Sequence, residues 1–261
     1  HAPHTPMAPH PEHPYDPADV PLAASTADDL SSKPRPQRTG TPHQAYLALG
    51  EAGLRKYQAT YYSMISGIDA NVGRLIEHLR STGRDRDTLV IFVSDNGWML
   101  GEHQMYGKGA ALYEELVRMP LVLWRPGVVP AGRISDALVS TLDLFPTVAG
   151  RAGASVPDDV SGLDLWPLVD GSRTSLRDEL FLEYKEKGST GRATPILGVV
   201  TRRYKYARYP ATGEEEMYDL ASDPLEVRNL AVDSGGPPAE INDLRARVDR
   251  FAATIARPFW K

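Results

Sequence analysis

The chain has 261 residues, a net charge of −5 and no cysteine. Its length allows one large domain or two unequal ones, and the missing thiols exclude disulfides, thiolate metal sites and a cysteine nucleophile among these residues. The mild acidity, with no basic block, argues against nucleic acid as a partner, and no apolar run approaches a membrane span or forms a leader. The chain reads as soluble, with cytoplasm, periplasm and exterior all open.

Residues 1–50 are rich in proline, histidine and small polar side chains without periodicity, and are predicted to be irregular, surface-hugging chain. The opening His1-Ala2-Pro3-His4-Thr5-Pro6 has no start methionine and suggests the middle of a larger protein. From about Glu51 to Ser81, the apolar residues Leu54, Tyr57, Tyr61, Ile65, Ile68, Val72, Leu75, Ile76 and Leu79 recur every three or four positions, which predicts an amphipathic helix stopped near Gly83. Leu89-Val90-Ile91-Phe92-Val93 has the length and composition of a buried strand over 88–94. A glycine-rich loop follows through residue 109, then a helix near Ala110–Val117. A second buried strand, Leu121–Trp124, runs into Arg125-Pro126-Gly127, and a helix covers about Leu142–Ala152. This alternation predicts a layered α/β fold with a mostly parallel sheet.

After Pro167 the texture changes. Short strands at Phe181–Tyr184, Ile196–Thr201, Tyr204–Tyr209 and Glu216–Leu220, and a helix near Ala239–Ala256, predict a small antiparallel sheet with one helix packed on it. The expected division is therefore 1–170 for the main α/β unit and 171–261 for the smaller one.

The chemistry concentrates in Ser94-Asp95-Asn96-Gly97, Gly101-Glu102-His103 and Gly107-Lys108-Gly109. A strand ending in acid, amide and glycine delivers oxygen donors at its carboxyl end, where open α/β sheets bind ligands. Asp95 and Asn96 suit a hard divalent cation, and the same residue types also make an ordinary Asx-type turn. Two ligands are too few for Ca²⁺, which takes about 6–8 oxygens. Lys108 has the compact charge to bind an oxyanion, or is simply solvated. His103 is either a proton carrier or a loop anchor. His4 sits between prolines that would present its imidazole as a general acid, or belongs to a plain proline-rich linker.

In order along the chain, these pieces resemble the second half of the type I sulfatases of the alkaline phosphatase superfamily. The resemblance rests on Pro3-His4-Thr5-Pro6, Ile68-Asp69-Ala70-Asn71-Val72-Gly73, Asp95-Asn96-Gly97, Gly107-Lys108-Gly109 with Tyr113-Glu114, and Arg118-Met119-Pro120. It continues through Tyr204-Lys205-Tyr206, Met217-Tyr218-Asp219-Leu220 and Asp223-Pro224-Leu225-Glu226 to Asn229-Leu230. It implies a partial alkaline-phosphatase-like α/β fold and hydrolysis of a small-molecule or glycan sulfate ester. Asp95 and Asn96 would be two ligands of Ca²⁺, with Mg²⁺ or Mn²⁺ as substitutes. Lys108 would bind a sulfate oxygen, and His4 would contact the sulfate or protonate the leaving alcohol; His103 has only a looser counterpart. Asparagine at position 96 matches the sulfatases, whereas phosphonate and phosphate monoesterases of the superfamily often carry histidine there. Those hydrolases are one alternative, and a non-catalytic binder of sulfated ligands is another.

One departure is large. The family's nucleophile is a formylglycine made within Cys/Ser-x-Pro-x-Arg, and neither a cysteine nor a Ser-x-Pro-x-Arg occurs here; Ser32-Lys33-Pro34-Arg35-Pro36 ends in proline. The nucleophile and the remaining metal ligands are therefore expected upstream of His1, leaving this chain inactive alone. Its sheet is expected to show an open edge and uncovered apolar faces, to be filled by the N-terminal half or an oligomeric contact. Residues 10–50 and 185–195 are candidate lining for the leaving-group pocket.

Overall fold

The computed structural model describes residues 4, 6–109, 111–187 and 193–255. Pro3, Thr5, Ala110, residues 188–192 and Ala256, which fall in segments singled out above, lie outside them. Residues 17–32 form three short 3-10 turns, followed by helices α1 (Arg35–Thr39) and α2 (Thr41–Ser81). Helix thus begins well before the periodic stretch, correcting the expectation of irregular chain up to residue 50. Pro36 and Pro42 stand in the first two positions of these helices, where a missing N–H costs nothing and φ is already helical. Gly50, at φ 60° and ψ 177°, breaks α2, so 51–81 is the unbroken run that the periodicity predicted.

The buried positions of α2 are Leu54, Gln58, Ala59, Ser63 and Gly67 besides Pro42, while Ile65 and Leu75 of the expected apolar stripe are exposed. Small and polar residues are buried because residues 10–20 run back along this face. His10 N–H donates to Ser63 Oγ at 2.7 Å, Tyr15 OH meets Ser66 Oγ at 3.0 Å, and Arg55 donates to the Val20 carbonyl at 2.7 Å.

Strands β1 (Val90–Val93) and β4 (Leu121–Trp124) pair antiparallel, with Val90 opposite Trp124 and Val93 opposite Leu121. Between them lie the hairpin strands β2 (Met99–Leu100) and β3 (Tyr106–Gly107) and the one-turn helix α3 (Glu114–Val117). A parallel return needs a crossover to the opposite end of the sheet. This connection stays at one end, so the pair does not show the parallel arrangement expected of this layer. Each strand is the other's one neighbour among the described residues. Phe92 and Val122 are 39% and 55% exposed, so the strands are less buried than their composition suggested, and the open edge and bare apolar surface expected above are present. Phe145 and Val148 of α4 (Leu144–Arg151) are exposed as well.

After α5 (Trp166–Asp170), the C-terminal part is an antiparallel sheet of β5 (Glu179–Lys187), β6 (Ala193–Thr201), β7 (Tyr204–Tyr209) and β8 (Glu214–Asp219), neighbours in chain order. Helix α6 (Glu240–Thr254) packs Ile241, Leu244 and Val248 against Leu197, Val199, Tyr206 and Met217. Each such side chain contributes roughly 1.5–3 kcal/mol on burial. This sheet and helix match the prediction. Among the described residues no helix is long and apolar enough to cross a membrane.

Candidate active site

The loop after β1 is shaped by close backbone contacts. Ser94 Oγ donates to the Asn96 carbonyl and Asn96 N–H to Asp95 Oδ1, both at 2.9 Å. Gly97 N–H donates to the Leu116 carbonyl at 3.0 Å. A Cβ on Gly97 would lie 1.7 Å from the Glu115 carbonyl oxygen, so this approach is open to glycine alone. The chain then enters the β2–β3 hairpin, in which Met99 faces Gly107 and Leu100 faces Tyr106. That register leaves Trp98 and Lys108 just beyond the same end of the hairpin.

Lys108 therefore returns to the strand end although it lies twelve positions from Asn96, and its Nζ donates to Asn96 Oδ1 at 3.2 Å. Gly107 and Gly109, at φ 99° and 102°, supply the left-handed backbone on both sides of it. The ammonium stands 5.4 Å from the centroid of the Trp98 ring, within range of a cation–π contact. On the same indole, His4 meets the ring edge-on at 6.0 Å. His4, Asn96 and Lys108 are thus brought together around Trp98. Asp95 lies two residues beyond the end of β1 and is exposed.

Trp98 stands beside these residues and was not singled out by the sequence reading. Its indole Nε1 is enclosed and has no hydrogen-bond partner among the described residues. Its place two residues beyond Asn96, at the mouth of a short hairpin facing a lysine, was the signal available.

The donor chemistry fits a hard divalent cation in kind, a carboxylate and an amide oxygen side by side. It does not complete one. Among the described residues, Asp95 is not joined by two further His, Cys, Asp or Glu side chains close enough to share an ion.

His103 lies elsewhere. It is fully buried, its Nδ1 is 2.7 Å from Asp28 Oδ2, and its ring stacks on Tyr113 with centroids 3.7 Å apart and planes within 6°. Its described contacts include none of His4, Asn96, Trp98 or Lys108, which matches the loop-anchor reading. The anchor extends into the C-terminal sheet. Tyr113 OH donates to Gln37 Oε1 at 2.6 Å, Gln37 Nε2 donates to Tyr209 OH and Glu216 Oε1 at 2.8 Å, and Glu216 accepts from Tyr209 and Tyr218 at 2.5 Å. Burial, and then the charge of Glu216, push all three phenols well above their ordinary value, so they stay protonated donors. These bonds cross the expected 170/171 division. A cleft of about 330 Å³ lies apart from the loop, between the β6–β7 turn and α6, lined by residues such as Thr201, Tyr204, Asp243 and Arg247.

A family pattern described as sulfatase matches residues 4–154, and one described as N-sulphoglucosamine sulphohydrolase, C-terminal, matches residues 101–252. The chain is 32% identical over 180 residues to an N-acetylglucosamine-6-O-sulfatase of Bacteroides thetaiotaomicron, covering 67% of this chain and 32% of that protein. It is 30% identical over 232 residues to an arylsulfatase of Clostridium perfringens, covering 87% and 47%. A structure solved in complex with its substrate D-glucosamine-2-N,6-O-disulfate superposes with a TM-score of 0.85 at 23% identity, over 97% of this chain and 63% of that one; this likeness is one of fold. The chain spans less than half the length of either curated relative. The sulfatase pattern takes in His4, the Asp95–Asn96 strand end and Lys108 within one continuous match, and on that match the chain belongs to the sulfatase family, with its α/β alkaline-phosphatase-like fold.

Proposed function

We propose that this chain is the C-terminal part of a sulfatase that hydrolyses a small-molecule or glycan sulfate ester, with Asp95, Asn96, Lys108 and His4 forming half of its active site. The observation that supports this most directly is Lys108 Nζ at 3.2 Å from Asn96 Oδ1: an oxyanion-binding cation and a hard oxygen donor meet at the end of β1. A divalent ion, Ca²⁺ with Mg²⁺ or Mn²⁺ as substitutes, would be held by Asp95 and Asn96 together with oxygens from outside the described residues, and would supply charge neutralisation for the sulfate.

Lys108 places a point charge where a sulfate oxygen gains negative charge in the transition state, and one such donor is worth roughly 100-fold or more in rate. The Trp98 ring, 5.4 Å from that ammonium, offers it a cation–π contact that holds its position. His4, at the edge of the same indole, delivers a proton to the departing alcohol oxygen. The nucleophile on this reading is a formylglycine in chain outside these 261 residues, so residues 1–261 alone hydrolyse no sulfate ester.

The test is an aryl sulfate assay on the longer protein that contains this chain. Lys108→Ala should lower kcat/KM by about 100-fold or more; undiminished hydrolysis refutes the role given to Lys108. Parallel rates on aryl phosphate and phosphonate measure the preference for sulfur, which asparagine at position 96 supports.

A further inference from the structure

The turn at residues 10–13 holds a group of donors that the proposed reaction does not use. Pro11 occupies its second position and His13 N–H donates to the His10 carbonyl at 3.2 Å, the arrangement of a β-turn. The turn gathers His10, Glu12 and His13, so that one ligand atom from each lies within 4.8 Å of the others. The two imidazole rings are 4.9 Å apart and inclined by 30°.

This turn is fixed in place. Besides the 2.7 Å bond from His10 N–H, Ser63 Oγ donates to the His10 carbonyl at 3.3 Å. The His10 ring lies against Gly67, where a Cβ would approach its Cδ2 to 2.6 Å. Ser63 and Gly67 stand one helical turn apart on α2, and together they seat the histidine. A second observation concerns the cluster itself: His13 Nε2 is enclosed and has no hydrogen-bond partner among the described residues. An enclosed nitrogen without a partner is costly, and a bound cation removes that cost.

We propose that His10, Glu12 and His13 bind a borderline transition-metal ion, for which Zn²⁺ is the reference. Two imidazoles and one carboxylate suit Zn²⁺, while Ca²⁺ and Mg²⁺ prefer oxygen alone. Ligand bonds of about 2.0–2.1 Å place tetrahedral donors roughly 3.3 Å apart, so the side chains close from separations of up to 4.8 Å on binding. Glu12 is exposed and has room to swing. Three protein ligands leave a fourth position for water. The site differs in chemistry from the oxygen donors at Asp95 and Asn96. Its consequence is mechanical: the ion cross-links the turn that Ser63 and Gly67 already seat on α2.

The experiment uses the whole 261-residue chain, stripped with chelator and then held in excess Ca²⁺ to fill any oxygen-only site. Zn²⁺ is titrated against a chromophoric chelator, and Co²⁺ is added in a separate run. One equivalent of Zn²⁺ should bind, the thermal midpoint should rise, and Co²⁺ should give the visible bands of a four-coordinate ion. His13→Ala and the exposed-site variant Glu12→Gln should each weaken Zn²⁺ binding by about tenfold or more, with circular dichroism in Ca²⁺ alone unchanged; His78→Ala, on the exposed end of α2, should have no effect. Absence of Zn²⁺ binding to the unaltered chain overturns the proposal. So does binding that Glu12→Gln leaves intact, since that variant removes a ligand without touching a buried group.

Discussion

Gly97→Ala isolates the point where the fold sets the geometry of the site. The new methyl would stand 1.7 Å from the Glu115 carbonyl oxygen and 2.8 Å from its carbon, against about 3.5–4.0 Å for a comfortable carbon contact. The obstacle is backbone in α3, so no side-chain rotation relieves it. The loop must withdraw by more than an ångström, and the 3.0 Å bond from Gly97 N–H to Leu116 is then stretched or lost. Overpacking of this kind costs about 1–3 kcal/mol, and the hydrogen bond adds about 1 kcal/mol. For a chain of this size, ~2–4 kcal/mol corresponds to a Tm lower by roughly 4–16 °C.

The functional loss should be out of proportion to that. A withdrawal at Gly97 moves Asn96 on one side and Trp98 on the other, and a displacement of about 1 Å in positioning groups can cost about 100-fold in rate. The assay pairs thermal unfolding of the chain with aryl sulfate turnover by the longer protein below the variant's Tm. An alanine variant that keeps its Tm within about 1 °C of the parent, on a scale where 1 kcal/mol moves Tm by about 2–4 °C, and also keeps its turnover, refutes the claim that this approach fixes the loop.

Trp98→Ala should weaken catalysis and, because the indole also packs against Tyr106, lower stability; Trp98→Phe should restore part of the catalysis, because a ring face remains for Lys108 and an edge contact for His4, and equal kcat/KM for the two variants counts against the indole's role. Asp143 accepts two 2.6 Å bonds from Arg177 and further bonds from Ser140 and Leu163 N–H, so Asp143→Asn should cost about 3–5 kcal/mol by urea unfolding. Burial pushes that carboxyl up, but Arg177 and the two N–H groups outweigh burial and hold it below 3.8; its contribution is therefore full at neutral pH and lost as pH falls through the acid range below that value. Glu226 behaves in the opposite sense: burial, only partly offset by Lys205, raises it from 4.5 to about 7. The folded state then holds the extra proton, so stability declines as pH rises from about 4.5 to about 7, and Glu226→Gln should remove that slope from a stability–pH curve. His103→Asn keeps a polar group near Asp28 and should leave the pH profile of turnover unchanged, whereas a proton carrier at this position would lose one limb of it.

The sequence made the extents of the strands and the C-terminal helix legible because period and punctuation mark where they begin and end. Leu121–Trp124 and Tyr204–Tyr209 begin and end at the predicted residues. The start of α2 was hidden because Pro36 and Pro42 read as breakers when they open helices instead. The stripe of Ile65 and Leu75 misled on burial, since α2 turns Ser63 and Gly67 toward residues 10–20. In the proposed site, Asp95, Asn96 and Lys108 were singled out from residue type and glycine spacing, and the fold brings Lys108 to Asn96. Trp98 was not, because its role depends on the hairpin register that sets it beside Lys108. His103 could not be placed from sequence either. Its partners Asp28 and Tyr113 are 75 positions before and 10 after it, and only the folded chain brings them together.

These long-range bonds explain how so small a hairpin can hold the proposed site. Two strands of two residues are marginal on their own, so the geometry at Lys108 must be imposed from outside. Gln58 of α2 donates to the Leu100 carbonyl at 2.9 Å, and Gln104 donates to the Asp28 carbonyl at 2.8 Å while its own carbonyl meets His43 at 2.9 Å. Met99 and Met105 are buried with Tyr113 and Tyr218. His103 joins Asp28 to Tyr113, and from Tyr113 the bonds run through Gln37 and Glu216 into β7 and β8. The hairpin is thus gripped by the N-terminal segment, by α2 and by the C-terminal sheet at once. Removing one member of such a buried polar network leaves its partners without their hydrogen bonds. The buried histidine therefore bears on Lys108 through position, and the C-terminal sheet is a structural support of the site with no catalytic group of its own assigned to it.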